Sequence, residues 1–141
     1  MLSAKKLASY RSVSVDTASP GKLILMLFDG ALRFLHLAED GFRQSDVRIR
    51  QETIHNNIVK TQNILLELQR SLNVRDGGEF AVNLFRIYDF MMAQLIEANT
   101  KKNAEKIRVV IQLLGEIRGA WDEMLQQQGA PAQGAGVSLS A

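Results

Sequence analysis

The sequence predicts an all-α fold: an antiparallel up-down four-helix bundle, preceded by an arm and followed by a disordered tail. Three observations carry this. Apolar residues recur at alternating steps of three and four through four stretches of similar length, which is the spacing of one helix face. Short Gly-, Asn- or Ser-containing breaks separate those stretches, and short turns between helices favour antiparallel neighbours. Neither proline interrupts a periodic stretch, and no stretch alternates with the period of a strand.

The elements follow in order. Residues 1–18 have no sustained period and read as an N-terminal arm with room for a short extra helix. Ser19 and Pro20 read as an N-cap and first helical position. The first helix then runs to about Phe42. Its main seam is Leu23, Leu27, Ala31, Phe34 and Ala38, widened by Ile24, Phe28, Leu35 and Phe42. A helix so apolar is expected to be deeply buried. The second helix starts near Ser45 or Asp46 and ends near Leu72. Its seam is a clean heptad of Ile54, Ile58, Thr61, Leu65, Leu68 and Leu72.

Asn73 and Gly77-Gly78 mark the next turn. The third helix, up to about Asn99, carries two seams. Phe80, Leu84, Ile87, Met91, Leu95 and Ala98 form one; Ala81, Phe85, Tyr88, Met92 and Ile96 form the other. Such a helix is central in its fold or offers one face to a partner. Asn103 reads as the N-cap of the fourth helix, which runs to about Gln128. Ile107, Ile111, Leu114, Trp121 and Leu125 line one side of it, interrupted by Arg118. Val110, Leu113, Ile117, Ala120 and Met124 line another. Residues 129–141 are small and uncharged and read as a flexible tail. The domains are thus an arm (1–18), a helical bundle (19–128) and a tail (129–141).

Composition narrows the function. The chain has 141 residues, 46% of them hydrophobic and 23% charged, enough for one domain with a core of its own. It has no cysteine, which excludes disulfides and thiolate metal sites. The N-terminus lacks the continuous apolar run of a secretory signal, and no window approaches a membrane span. Net charge is only +2. Charges of both signs alternate through Asp46, Arg48, Arg50 and Glu52, as on a solvated helix face, so nucleic acid is not the expected partner.

A di-iron site in such a bundle needs two Glu-x-x-His motifs and two further carboxylates facing inward. This chain has one, Glu52 with His55, and both lie off the Ile54 seam. No nucleophile, base or phosphate loop stands on a predicted scaffold. No enzyme activity and no cofactor are expected. What stands out is surplus apolar surface on the first, third and fourth helices, rich in Met and aromatics, as adaptable binding surfaces are. The arm carries Leu7, Tyr10, Val13 and Val15 and is suited to lie across such surface until a partner arrives. A partner helix or extended segment bound in a groove fits this better than catalysis. A second reading is a structural bundle whose extra seams pair two copies of the chain as a homodimer.

The same residues resemble the FliS family of flagellar export chaperones in three blocks. The first is Tyr10, Val13, Val15 and the run from Thr17 to Leu23, leading into Met26 to Ala31. The second is Ile64 to Leu68 with Ser71 and Leu72. The third is Gly77 to Glu79, Ala81, Asn83, Leu84, Ile87 to Asp89 and Leu95 to Asn99. The resemblance implies a cytoplasmic chaperone that binds the disordered C-terminal segment of flagellin in apolar grooves. It would prevent premature polymerisation and pass flagellin to the export gate of the flagellar type III system. It also implies that the arm near Tyr10 covers part of the groove in the free protein. Phe28 stands where the family usually has Tyr, which keeps the ring and loses the hydroxyl.

Seams and resemblance together single out Tyr10, Val13, Leu27, Phe28, Ala81, Leu84, Phe85, Tyr88, Met92 and Ile96 as partner-binding residues. Tyr88→Glu is expected to weaken binding while leaving the helices mostly intact; unfolding would instead mark Tyr88 as core.

Overall fold

The computed structural model describes residues 19–128. These form four helices: α1 (Pro20–Gly41), α2 (Val47–Ser71), α3 (Gly78–Lys101) and α4 (Ala104–Gln128). Local chemistry sets each boundary. The Ser19 hydroxyl accepts a bond from the Lys22 backbone N–H at 3.2 Å, with Pro20 in the first turn. Asp46, rather than Ser45, caps α2, accepting from the Ile49 N–H at 3.0 Å. Between α2 and α3 the Asn73 carbonyl accepts from Gly77 N–H at 2.7 Å. Gly78 then takes a φ of +66° that a side chain would resist. Asn103 opens α4 by accepting from the Glu105 N–H at 3.0 Å.

Polar bridges show that neighbours run antiparallel. Along α1 and α4, Glu39 meets Arg108 at 3.1 Å, Asp29 meets Arg118 at 2.8 Å, and the Gly21 carbonyl meets Trp121 at 2.9 Å. Along α2 and α3, His55 meets Asn99 at 2.9 Å and Gln69 meets Asp89 at 2.6 Å. The interruption of the α4 seam at Arg118 therefore has a purpose: that side chain clamps α1 through Asp29. The helices form a closed ring in which each packs on two neighbours and none on its diagonal. The α1–α2 pair is the most tightly joined, whereas α3 rests comparatively lightly on α2 and α4.

Close approach explains the tight pair. A Cβ placed on Gly41 would lie 3.0 to 3.2 Å from the side chains of Thr53 and Ile54. Glycine lets α2 leave the turn against the end of α1. The core runs the length of the ring and includes Phe28, Leu35, Ile54, Ile58, Leu65, Met91, Leu95, Ile107 and Leu114. Thr61 fits inside because its hydroxyl donates to the Asn57 carbonyl one turn back, at 2.9 Å.

Packing revises two expectations. The two seams of α3 are not two faces. One buried stripe of Ala81, Leu84, Tyr88, Met91, Leu95 and Ala98 draws on both. What remains lies on its two flanks. Phe34, expected within the main seam of α1, is only half-buried, with Arg33 and Lys60 over its ring. Both cations snorkel over the ring face, which the quadrupole favours.

Candidate functional site: an apolar groove between α3 and α4

The light packing of α3 leaves a groove along its α4 flank. Phe80, Asn83, Leu84 and Ile87 form one wall and Ile117, Ala120, Trp121 and Met124 the other, with Phe28 of α1 as floor. It encloses about 280 Å³ and its surface is almost wholly apolar. The spacing of these residues follows from the helix period: each wall is one edge of its helix, beside the buried stripe.

The floor is rigid. Phe28 is 1% exposed and meets Trp121 edge-on, with centroids 6.3 Å apart and planes at 74°, a favoured aromatic geometry. The Trp121 indole N–H donates to the Gly21 carbonyl at 2.9 Å, which satisfies its polar atom and ties α4 to the first turn of α1. Behind Trp121, Arg118 spans Asp29 and Asp122. The rim is open: Phe80 is 60% exposed at the start of α3. A preformed floor with an open apolar rim can take large side chains of a partner without rebuilding the core.

No charged group lines this groove, so it offers binding by burial rather than catalysis. Among the described residues no three of His, Cys, Asp and Glu gather as metal ligands. Glu52 instead pairs with Arg48, and His55 with Asn99. No helix of the described residues is long and apolar enough to cross a membrane.

The chain matches the family model of the flagellar protein FliS over residues 3–128. It belongs to the FliS family. The flagellar secretion chaperone FliS of Salmonella typhimurium is 37% identical over 128 residues, covering 88% of this chain and 93% of that one. The FliS of Vibrio cholerae serotype O1 is 34% identical over 84% of this chain and 87% of its own. That of Bacillus subtilis is 33% identical over 91% and 92% respectively. As a FliS-family member, the chain is a flagellar export chaperone, and this is a chaperone family rather than an enzyme family. Its partner is a flagellar export substrate.

The predicted site residues scatter when placed on this FliS-family fold. Phe28 and Leu84 both line the α3–α4 groove. Leu27 lines a second pocket, between α1 and α2. Phe85 and Met92 are half-buried and Ile96 is 57% exposed, along the α3 flank that carries the Asp89 and Asn99 bridges to α2. Tyr10 and Val13 lie outside the described residues.

Ala81 and Tyr88 are corrections. Both are interior, with Tyr88 2% exposed. Burial also pushes the Tyr88 hydroxyl far above its ordinary pKa, so the ring sits neutral in the core. The burial favours the alternative outcome of Tyr88→Glu, unfolding, because the position offers a carboxylate no water. Sequence reasoning passed over Phe80, Ile87, Ile117 and Trp121 as site residues, though each stood in a seam; Met124 it counted only among the surplus suited to binding. The usable signal was a seam aromatic at the start of α3 facing the only tryptophan near the end of α4.

Proposed function

We propose that this chain holds the disordered C-terminal segment of flagellin, with the α3–α4 groove as a principal seat. It thereby keeps flagellin from polymerising early in the cytoplasm and delivers it to the flagellar type III export gate. The supporting observation is the groove itself: an aromatic floor fixed by Phe28 and Trp121 below an exposed Phe80 rim. A disordered segment loses several kcal/mol to ordering when it binds, and burial of apolar side chains along a long surface offsets that loss.

Phe80→Glu tests the reading. The side chain is mostly in water, so the fold should tolerate the charge while the groove rejects an apolar partner. Calorimetry with the C-terminal segment of the organism's flagellin should show at least a tenfold loss of affinity, as expected at an aromatic anchor. Unaltered affinity would place the segment elsewhere. The arm enters as a cover: removing residues 1–18 should tighten binding and lower solubility. If neither changes, the arm does not shield the groove.

A further inference from the structure

A second pocket lies between α1 and α2. Pro20, Leu23, Ile24 and Leu27 face Leu68 and Ser71 across about 150 Å³, and the pocket carries a single ionisable group. That group is Glu67, which is only 8% exposed. Its Oε2 is shut off from solvent and makes no hydrogen bond. The Ser71 hydroxyl, which lines the same pocket, already donates to the Leu68 carbonyl at 2.7 Å. None of the described lysines and arginines pairs with Glu67; those that form ion pairs do so with Asp29, Glu39, Asp40, Glu52, Glu97, Glu105 and Asp122.

A carboxylate with one oxygen buried and unpartnered is unfavourable, and an apolar side chain of similar size would serve the free fold better. Gln69, two residues on, shows the contrast. It is equally buried, but its amide donates to the Phe85 carbonyl at 3.1 Å and to Asp89 at 2.6 Å, joining α2 to α3. Gln69 is accounted for by the fold. Glu67 is not.

We propose that the α1–α2 pocket is a docking subsite for a basic side chain. The partner segment carries that lysine or arginine between apolar residues, which fill the Leu23, Ile24, Leu27 and Leu68 surface, and Glu67 is its counter-ion. Charge complementarity selects the occupant. A purely apolar segment would leave the carboxylate stranded in a drier pocket, and an acidic one would face a like charge. A cation turns the orphan into a charge-assisted bond in a water-poor setting, where such bonds are strongest. The α3–α4 groove has no ionic group, so this pocket would supply register where that groove supplies burial. The inference rests on the reading that a flagellar export substrate segment lies across the bundle.

The test is a coupling experiment on the full chain. The probe is the C-terminal segment of the organism's flagellin, with each lysine and arginine replaced in turn by glutamine. Binding to the native chain and to Glu67→Gln is measured by calorimetry. One replacement should weaken binding to the native chain about tenfold and binding to Glu67→Gln less than twofold. The free Glu67→Gln protein should melt no lower than the native one. Binding with no replacement coupled to Glu67 overturns the proposal and leaves the chaperone reading standing. A free Glu67→Gln protein that melts lower overturns it too, because Glu67 then stabilises the free fold. If the unaltered segment fails to bind the native chain, the flagellin reading itself falls, and this subsite with it.

Discussion

Tyr88 and Phe80 stand on the same helix and belong to opposite environments. Tyr88 closes the core, and a carboxylate there would have neither water nor a cation to face. Tyr88→Glu should cost on the order of 4 kcal/mol or more, a large share of the stability of an ordinary domain. Thermal melts followed by circular dichroism would read this directly. Phe80→Glu, by contrast, should leave the melting curve nearly unchanged, since surface substitutions usually fall within about 0.5 kcal/mol. A helical wheel places the two in neighbouring seams and cannot rank them. What separates them is where α4 lies, and that is information held by other segments of the chain.

At the scale of elements, the glycines separate tight from open packing. Gly41 lets α1 and α2 close, so Gly41→Ala should destabilise by about 1 to 2 kcal/mol through overpacking against Thr53 and Ile54. A Cβ on Gly119 of α4 would meet nothing within 4 Å. Gly119→Ala should therefore stabilise by up to about 1 kcal/mol through helix propensity alone. Denaturant melts of the two variants should move in opposite directions. Hydrogen bonds from Lys101 and Lys106 hold the Glu97 carboxyl below its ordinary value, tying the end of α3 to the start of α4. A lowered folded pKa means that the stabilisation is present above the ordinary value of 4.5 and is lost as pH falls below it. Glu97→Gln should flatten the stability profile in that acid range, with its small cost present at neutral pH and gone at low pH.

Helix existence was legible for physical reasons. Ser19-Pro20, the Asn73 to Gly78 turn and Asn103 are local devices, and each acts at the position its chemistry indicates. The heptad of α2 was equally plain, because a narrow stripe has one way to face inward. The α3 surplus was also visible, yet its division was not. Two adjacent seams on a wheel give the width of an apolar arc. They do not give the direction of its buried centre, which the contacts with α2 and α4 decide.

For the whole molecule, a ring of four helices with one lightly held member explains how a small chaperone exposes apolar surface and still keeps a core. The α1–α2 pair and the Arg118–Asp29 clamp hold the frame, and α3 leaves a groove on its α4 flank with a fixed aromatic floor. Trp121 is the single tryptophan of the chain and lies in that groove, which makes its emission a local reporter. The most direct measurement is a fluorescence titration of the full chain with the C-terminal segment of flagellin, run beside the Phe80→Glu variant. The account predicts a saturable shift in Trp121 emission for the native chain, moved to at least tenfold higher concentration by the substitution. Tight binding that leaves Trp121 emission unmoved, with the same affinity in both proteins, would contradict it.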